Sequence, residues 1–207
     1  SSAASDVYKR QGSLFSGTAI TQIDEDFFSR NTELTDCSII FSNGKLKTVP
    51  EKLFANNKKV STFNSLFANS ESFESVPAGL FANNPEVDSF RMLFSGTSLK
   101  SVPAGLFANN HKVTNFQSAF SKTAIQSVPA DLFAGCGKVT TFMSCFTGCS
   151  ELQSVPAELF KSSGAFTTVT KTAFNNIFKD CTSLTEVPAG LFDGFTLVTA
   201  FNDAFNG

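Results

Sequence analysis

The residues best able to do chemistry are five cysteines and one histidine, and their spacing completes no reactive site. Cys145 and Cys149 stand four residues apart, as two thiolate ligands of a metal would, but no nearby histidine completes the set. His111 has no G-x-S-x-G nucleophile motif to serve. Five thiols cannot all pair within one chain. The pattern therefore predicts free, buried, structural cysteines and an exposed loop histidine, with no catalytic residue, metal or cofactor.

Two short runs resemble ligand-binding loops and depart from them in detail. Gly135–Lys138 reads Gly-Cys-Gly-Lys, but a phosphate loop needs G-x4-G-K-[ST], and Leu132 stands where its first glycine belongs. Asp24–Asp26 is the densest acidic run, yet a calcium ion needs about six or seven oxygen ligands in a set geometry. We expect the first run to be a turn before Val139 and the second to cap a turn.

The composition excludes several classes of protein. The 207 residues include 25 Phe, one Tyr and no Trp, and the net charge is -2. This balance excludes the basic surface of a nucleic-acid-binding protein. No run of about 18 apolar residues is present, so no membrane span is expected. The use of Phe alone indicates a need for aromatic bulk without the polar handles of Tyr and Trp.

The first eleven residues, SSAASDVYKRQ, resemble the in-frame translation of a transposon-end adapter used to prepare sequencing libraries. We interpret residues 1–11 as an adapter-derived tail that is not native; the alternative is a polar, flexible terminus. The tail contains Tyr8, so the remaining chain has neither Tyr nor Trp. This interpretation makes residues 12–207 a metagenomic fragment of a longer reading frame.

A phenylalanine recurs every 13 or 14 residues, with one gap of 18 between Phe160 and Phe178. Two kinds of half-repeat alternate, F-x4-L-x2-V-P and F-x5-V-x2-F, so the full repeat is about 26 residues. The first kind carries the Val-Pro markers Val49, Val76, Val102, Val128, Val155 and Val187. The second kind carries the marker positions Cys37, Phe63, Phe90, Phe116, Phe142, Phe174 and Phe201.

Each repeat reads as a small α/β unit that cannot bury its apolar face alone. Leu99–Val102 and Val113–Phe116 are predicted to be short parallel strands. The proline after each marker valine is predicted to open a short helical turn. Phe90 and Phe94 are predicted to share one face of another helical turn. Residues 12–207 are thus predicted to stack into one solenoid of about seven coils without polar caps, truncated at both ends and continued there by further repeats.

The repeats resemble those of bacterial leucine-rich-repeat surface proteins of the BspA type, over essentially all of residues 12–207. The family pattern V-T-x-hydrophobic-x3-F-x-G-C-x2-L is matched by Val139, Thr140, Phe142, Phe146, Gly148, Cys149 and Leu152. The resemblance implies a right-handed leucine-rich-repeat-like solenoid. It also implies display on a bacterial cell surface or outside the cell, and adhesion or protein binding without catalysis. The standard L-x-L core is absent, and Phe and Val-Pro take its place.

The residue two before each marker valine varies in charge and length, and we expect it to point outward. These positions, here called the surface row, are Lys47, Glu74, Lys100, Gln126, Gln153 and Thr185. Fixed coils with variable exposed positions are typical of repeat proteins that bind extended partners. The row is therefore the candidate contact with a protein or cell-surface ligand. The alternative is a structural spacer that presents another domain and leaves the row as a solvated face.

Overall fold

The phenylalanine ladder resolves into columns of stacked rings that run along the whole solenoid. The computed structural model describes residues 13–161 and 169–207. In column A, rings from successive coils lie 5.5–5.7 Å apart with interplanar angles of at most 28°. Its eight rings, separated by seven repeats, are Phe15, Phe41, Phe67, Phe94, Phe120, Phe146, Phe178 and Phe205. The sequence period is therefore the stacking period of the core.

Two further columns fill the other half of the core. Column B contains the remaining ladder rings, and column C contains the marker rings that begin with Phe63. Rings of B and C alternate in a zigzag with centroids 4.7–5.0 Å apart. Cys37 takes the place of a column C ring in an early coil and is buried. Each coil buries its aromatic face only against its neighbours, as in other stacked repeats.

The prediction of helical turns is wrong, because the described residues contain no helix. After each Val-Pro marker, the chain makes turns closed by bonds between residues three apart, such as Leu80 N–H to Pro77 O and Ala82 N–H to Gly79 O. An α-helix requires bonds four residues apart along a continuous run. The proline therefore opens a turn, as expected of its fixed φ, but no helix follows.

The segment that carries Phe90 and Phe94 departs furthest from a helix. Its backbone makes turns closed by Leu93 N–H to Phe90 O and Thr97 N–H to Phe94 O. Met92 and Gly96, the third residues of these turns, have φ of 56° and 72°. A left-handed third residue is the mark of a type II turn and is incompatible with a right-handed helix.

These turns free every second N–H to bond to the next coil. The N–H groups of Phe90, Met92, Phe94 and Gly96 donate to carbonyls of the following coil at 2.8–3.0 Å. Equivalent bonds recur along the solenoid, for example from Ser65 N to Arg91 O at 2.8 Å. The coils are therefore joined by backbone hydrogen bonds as well as by ring stacking.

The predicted strands are also wrong in length. In the described part of the chain, extended pairing is limited to single parallel bridges at one position per coil. These bridges join, in order, Asp36, Thr62, Ser89, Asn115 and Thr141. Strand 113–116 stops at the bridge because Ser118, two residues after Phe116, is left-handed. Segment 99–102 stops because Pro103 has no N–H to donate.

Within the gap of the ladder between Phe160 and Phe178, residues 162–168 lie outside the described part of the chain. Column A nevertheless continues across it, since the rings of Phe146 and Phe178 stack 5.6 Å apart. The solenoid on both sides of the gap therefore keeps one stacking register.

Replacing Ile39 by asparagine is expected to stabilise the protein by about 1 kcal/mol. Ile39 has φ 62° in a turn, although branched side chains disfavour that region, and it is 41% exposed. Asparagine tolerates the left-handed conformation, and we expect this relief to outweigh the burial lost from a side chain that is 41% exposed. Urea unfolding measures the change. The matched control is Ile40→Asn, which alters a fully buried neighbour and should be strongly destabilising. A loss of stability in Ile39→Asn itself would contradict the assignment of backbone strain to Ile39.

Candidate functional site

The surface row forms a line of exposed side chains across successive coils. All six members are exposed. The residue before each is apolar and is buried in five cases, as with Leu99 before Lys100. This alternation of buried and exposed positions presents the row outward, as the sequence predicts.

Backbone hydrogen bonds link most of the row directly. Glu74 N donates to Lys47 O at 2.9 Å, and Gln153 N donates to Gln126 O at 3.0 Å. Lys100 N donates to Glu74 O, and Lys100 O accepts from Gln126 N, both at 3.4 Å. Lys100 therefore links these two pairs of row residues. The first five side chains thus project from a fixed backbone, one per coil. Thr185 has the same position in its own coil and is likewise exposed.

The charges of the row pair only in part. Lys100 Nζ lies 3.8 Å from Glu74 Oε2, and both side chains are largely in solvent. Gln126 Nε2 donates to Glu151 Oε2 at 3.1 Å. Exposed pairs of this kind contribute little to stability, so the row remains available for other contacts.

Side chains at two of the bridge positions bond to the backbone of their own coil. Thr141 Oγ1 accepts from Met143 N at 3.1 Å, and Asn115 Oδ1 accepts from Gln117 N at 2.8 Å. Side chains of this type favour such bonds to the backbone two residues ahead. These positions therefore shape the turns that follow each bridge.

A second polar row lies inside the solenoid, three residues after the ladder rings of column B. Asn57, Asn84 and Asn110 are fully buried, and each donates through Nδ2 to two backbone carbonyls of the preceding coil. For Asn110 these acceptors are Phe81 O at 3.1 Å and Asn84 O at 3.0 Å. Cys136 takes the same place in the next coil, with Sγ 3.7 Å from Phe107 O. This position therefore takes a small, inward side chain that bonds to the backbone of the preceding coil.

All five cysteines are free and buried, as expected. Burial raises the pKa of Cys136 to about 12 and raises that of Cys145 well above its ordinary value. A raised pKa keeps a thiol protonated and poorly reactive at neutral pH. No group of three or more metal-ligating side chains occurs within residues 13–161 and 169–207. Cys136 and Cys145 therefore act as small, unreactive core residues.

The remaining candidate residues have structural explanations. His111 is exposed, and its Nδ1 lies 2.9 Å from Gly135 O. A Cβ on Gly135 would lie 2.4 Å from Ala108 O, so close packing of two coils explains this glycine. Asp24 Oδ1 accepts from Asp26 N at 2.9 Å, which is the turn-capping bond expected of it. Among the described residues, no helix is long and apolar enough to cross a membrane.

Comparison with solved structures identifies the type of fold. A chain from the glycosylated Toll–Spatzle complex of Drosophila superposes with a TM-score of 0.63 at 21% identity, covering 88% of this chain and 22% of that one. The leucine-rich-repeat domain of APL1B superposes with a TM-score of 0.46 at 13% identity, covering 77% of this chain and 61% of that one. No family model and no curated protein matches the sequence. The chain therefore shares the solenoid fold of the matched part of the Drosophila chain, and it spans less than a quarter of that chain's length.

Proposed function

We propose that the chain is a non-enzymatic, protein-binding repeat module of a bacterial cell-surface protein, and that the surface row contacts the partner. The observation that carries this proposal is the row itself: side chains of differing charge and length stand exposed on a backbone that neighbouring coils hold in place. Repeat proteins build extended binding surfaces in this way. The similar Drosophila structure is a complex of two proteins, which supports recognition of a protein. Display on bacteria, with a role in adhesion, rests on the resemblance to BspA-type repeats.

We further propose that additional repeats of the same kind cover both ends of the described solenoid. Apolar side chains are exposed there, with Phe27 at 45% at one end and Phe201 and Phe205 at 41% and 45% at the other. Equivalent rings within the stack, such as Phe116 and Phe120, are fully buried by the following coil. Another coil in the same register would bury the end rings in the same manner.

Binding to extracellular-matrix proteins tests the proposed function. Residues 12–207 would be immobilised, and surface plasmon resonance would measure binding of fibronectin, fibrinogen, laminin and collagen. The row variant combines Lys47→Ala, Lys100→Ala and Gln126→Ala. We expect it to weaken binding by about tenfold or more, because a few residues carry most of the binding energy of an interface.

The control variant changes exposed residues on the turns that follow the Val-Pro markers, away from the row. It combines Lys52→Ala, Asn83→Ala and Asp131→Ala, all exposed positions. It should bind as the unaltered chain does. Equal loss in both variants would contradict a contact through the row. No binding to any of the four proteins, or to bacterial cells, would favour the spacer.

A further inference from the structure

An open groove with a volume of about 630 Å³ lies where the first coil meets the second, at one end of the surface row. Ile23, Val49 and Pro50 supply an apolar lining. Lys45 and Lys47 also line the groove, and both are exposed. The volume falls within the usual range of ligand sites, which combine an apolar lining with a few polar groups.

Neither lysine of the groove is neutralised by the described part of the chain. Two exposed lysines elsewhere pair with the preceding coil, Lys59 with Glu33 and Lys112 with Glu86, each at 2.6 Å, whereas Lys58 and Lys171 have no such partner among the described residues. Among the described residues, no carboxylate lies within 4.0 Å of the Lys45 or Lys47 ammonium group. The groove therefore carries two uncompensated positive charges beside an apolar surface.

The paired lysines are particular to this coil and do not belong to the repeat. Lys45 and Lys47 stand on either side of the buried Leu46. In the other coils, the position of Lys45 is held by Ala19, Ser72, Ser98, Ala124, Glu151 and Ser183. Lys100 alone of the later row members is also a lysine, and it lies beside Glu74. The repeat scaffold does not require two lysines here, so both ammonium groups are free to contact a ligand.

We infer that this groove binds an acidic segment of the protein partner, with carboxylates on Lys45 and Lys47 and an apolar side chain against Ile23, Val49 and Pro50. The inference rests on the proposed function, since it assigns one chemical element of the partner. Lysine binds an anion as a compact point charge and does not demand the forked geometry that arginine does.

A sulfated glycan fits the surface less well than an acidic peptide. A polyanion gains affinity from several cations spaced along its length, but the row continues from Lys47 through Glu74 to Gln126 and Gln153, with Lys100 beside Glu74. Thr21, Gln22 and Thr48 also line the groove and could bond to a sugar, but its apolar residues match an apolar side chain better than a sulfated ring. An apolar side chain flanked by carboxylates, in contrast, matches both parts of the groove.

Fluorescence anisotropy with short peptides tests the inference on the whole chain. The probe is a labelled peptide that repeats glutamate-leucine-glutamate, and its neutral counterpart repeats glutamine-leucine-glutamine. We expect the acidic peptide to bind and the neutral one to bind about tenfold more weakly or worse. Affinity for the acidic peptide should fall as salt is raised, because salt screens exposed charges.

The decisive variant is Lys45→Gln with Lys47→Gln, and its matched control is Lys58→Gln with Lys171→Gln. Both pairs remove two exposed positive charges, but the control pair lies outside the groove. We expect the groove variant to bind the acidic peptide about tenfold more weakly or worse. The control variant should lose about twofold in affinity or less. Equal loss in both would overturn the inference, as would absence of binding at about 1 mM peptide.

Two more measurements separate this inference from the proposed function. A heparin fragment is compared with the peptide on the same chain. If heparin binds more tightly than the peptide and loses that binding in the groove variant, the ligand is a glycan and the inference is overturned. If a matrix protein binds through the row but the groove variant leaves its affinity unchanged, the groove is wrong and the proposed function stands. If the peptide binds in the groove but no matrix protein or bacterial cell binds the chain, the groove stands without the proposed function.

Discussion

Phe107→Ala is expected to lower the free energy of unfolding by about 3–5 kcal/mol. The Phe107 ring is fully buried at the centre of the stack. It lies 4.7 Å from the ring of Phe90 and 4.9 Å from that of Phe116, and it stacks on column B rings in both neighbouring coils. Removing it leaves a cavity that rings fixed by their own stacking cannot close. Urea-induced unfolding followed by circular dichroism measures the loss.

The same substitution should also weaken the coupling between the two halves of the solenoid. A stacked repeat protein derives its cooperativity from the interfaces between neighbouring coils. Phe107 contributes to the interfaces on both of its sides, so we expect the unfolding transition of the variant to broaden or to split. Amide hydrogen exchange, read separately on either side of Phe107, would show unequal protection after the substitution.

Phe27→Ala is the matched control for the loss of a ring. Phe27 is 45% exposed, although it contacts the rings of Phe15 and Phe28. Its removal should cost about 1 kcal/mol, because much of its surface is already in water. A loss below about 1 kcal/mol for Phe107→Ala, comparable with this control, would contradict the role of column B in the core.

The core could be predicted from the sequence because one residue type marks it at a constant interval. The spacing from Phe94 to Phe107 to Phe120 fixes which residues face inward, whatever the backbone does between them. The exposure of the surface row follows from the same register, since Lys100 adjoins the buried Leu99. The periodicity of the sequence therefore predicts which residues lie on the inner and which on the outer face of the solenoid.

The backbone between the rings could not be predicted with the same success. Phe90 and Phe94 are four residues apart, which is also the spacing of one helical face, and the pattern alone does not separate a helix from successive turns. Gly96 and Gly148 hold left-handed positions and give a visible turn signal. Met92 holds the other left-handed position in the coil of Gly96, but methionine gives no turn signal in the sequence. Its side chain disfavours this conformation, which the hydrogen bonds to the next coil impose.

The groove was also beyond the reach of the sequence pattern. Lys47 belongs to the surface row, but Lys45 stands outside it, and the repeat register assigns Lys45 no role. Their relation to Ile23 depends on how the first coil meets the second. A contact of this kind arises from the packing of two coils, which spacing within one coil does not determine.

Asn84→Asp is expected to destabilise the protein by about 3–5 kcal/mol at neutral pH. The Asn84 amide is fully buried and donates through Nδ2 to Phe54 O at 3.1 Å and Asn57 O at 2.9 Å. Within residues 13–161 and 169–207 its Oδ1 has no hydrogen-bond partner, so the donors alone tie this side chain to the preceding coil. Aspartate has almost the same shape but sets a carboxylate oxygen against two carbonyl oxygens. The variant therefore keeps the packing but replaces the attraction between the amide N–H groups and the two carbonyls by repulsion.

The pH dependence of the Asn84→Asp variant identifies the cause of its loss. Burial and the two carbonyls disfavour the ionised carboxylate, so the pKa of the new group is higher in the folded than in the unfolded chain. The folded state then binds more protons, and stability relative to the unaltered protein falls as pH rises above about 4, the ordinary aspartate value. Acidification towards that value should recover part of the loss. Unfolding in urea at several pH values measures both effects.

Asn83→Asp supplies the control for the change in charge. Asn83 is the adjacent asparagine and is exposed, so the same substitution there should alter stability by less than about 0.5 kcal/mol. Asn84→Cys tests whether a small, neutral donor can replace the asparagine amide. Cys136 holds the equivalent place two coils later, and a neutral thiol still donates weakly to backbone carbonyls. Its cost should therefore fall between those of the two aspartate variants, and equal losses in Asn83→Asp and Asn84→Asp would show that the buried donors do not hold the coils together.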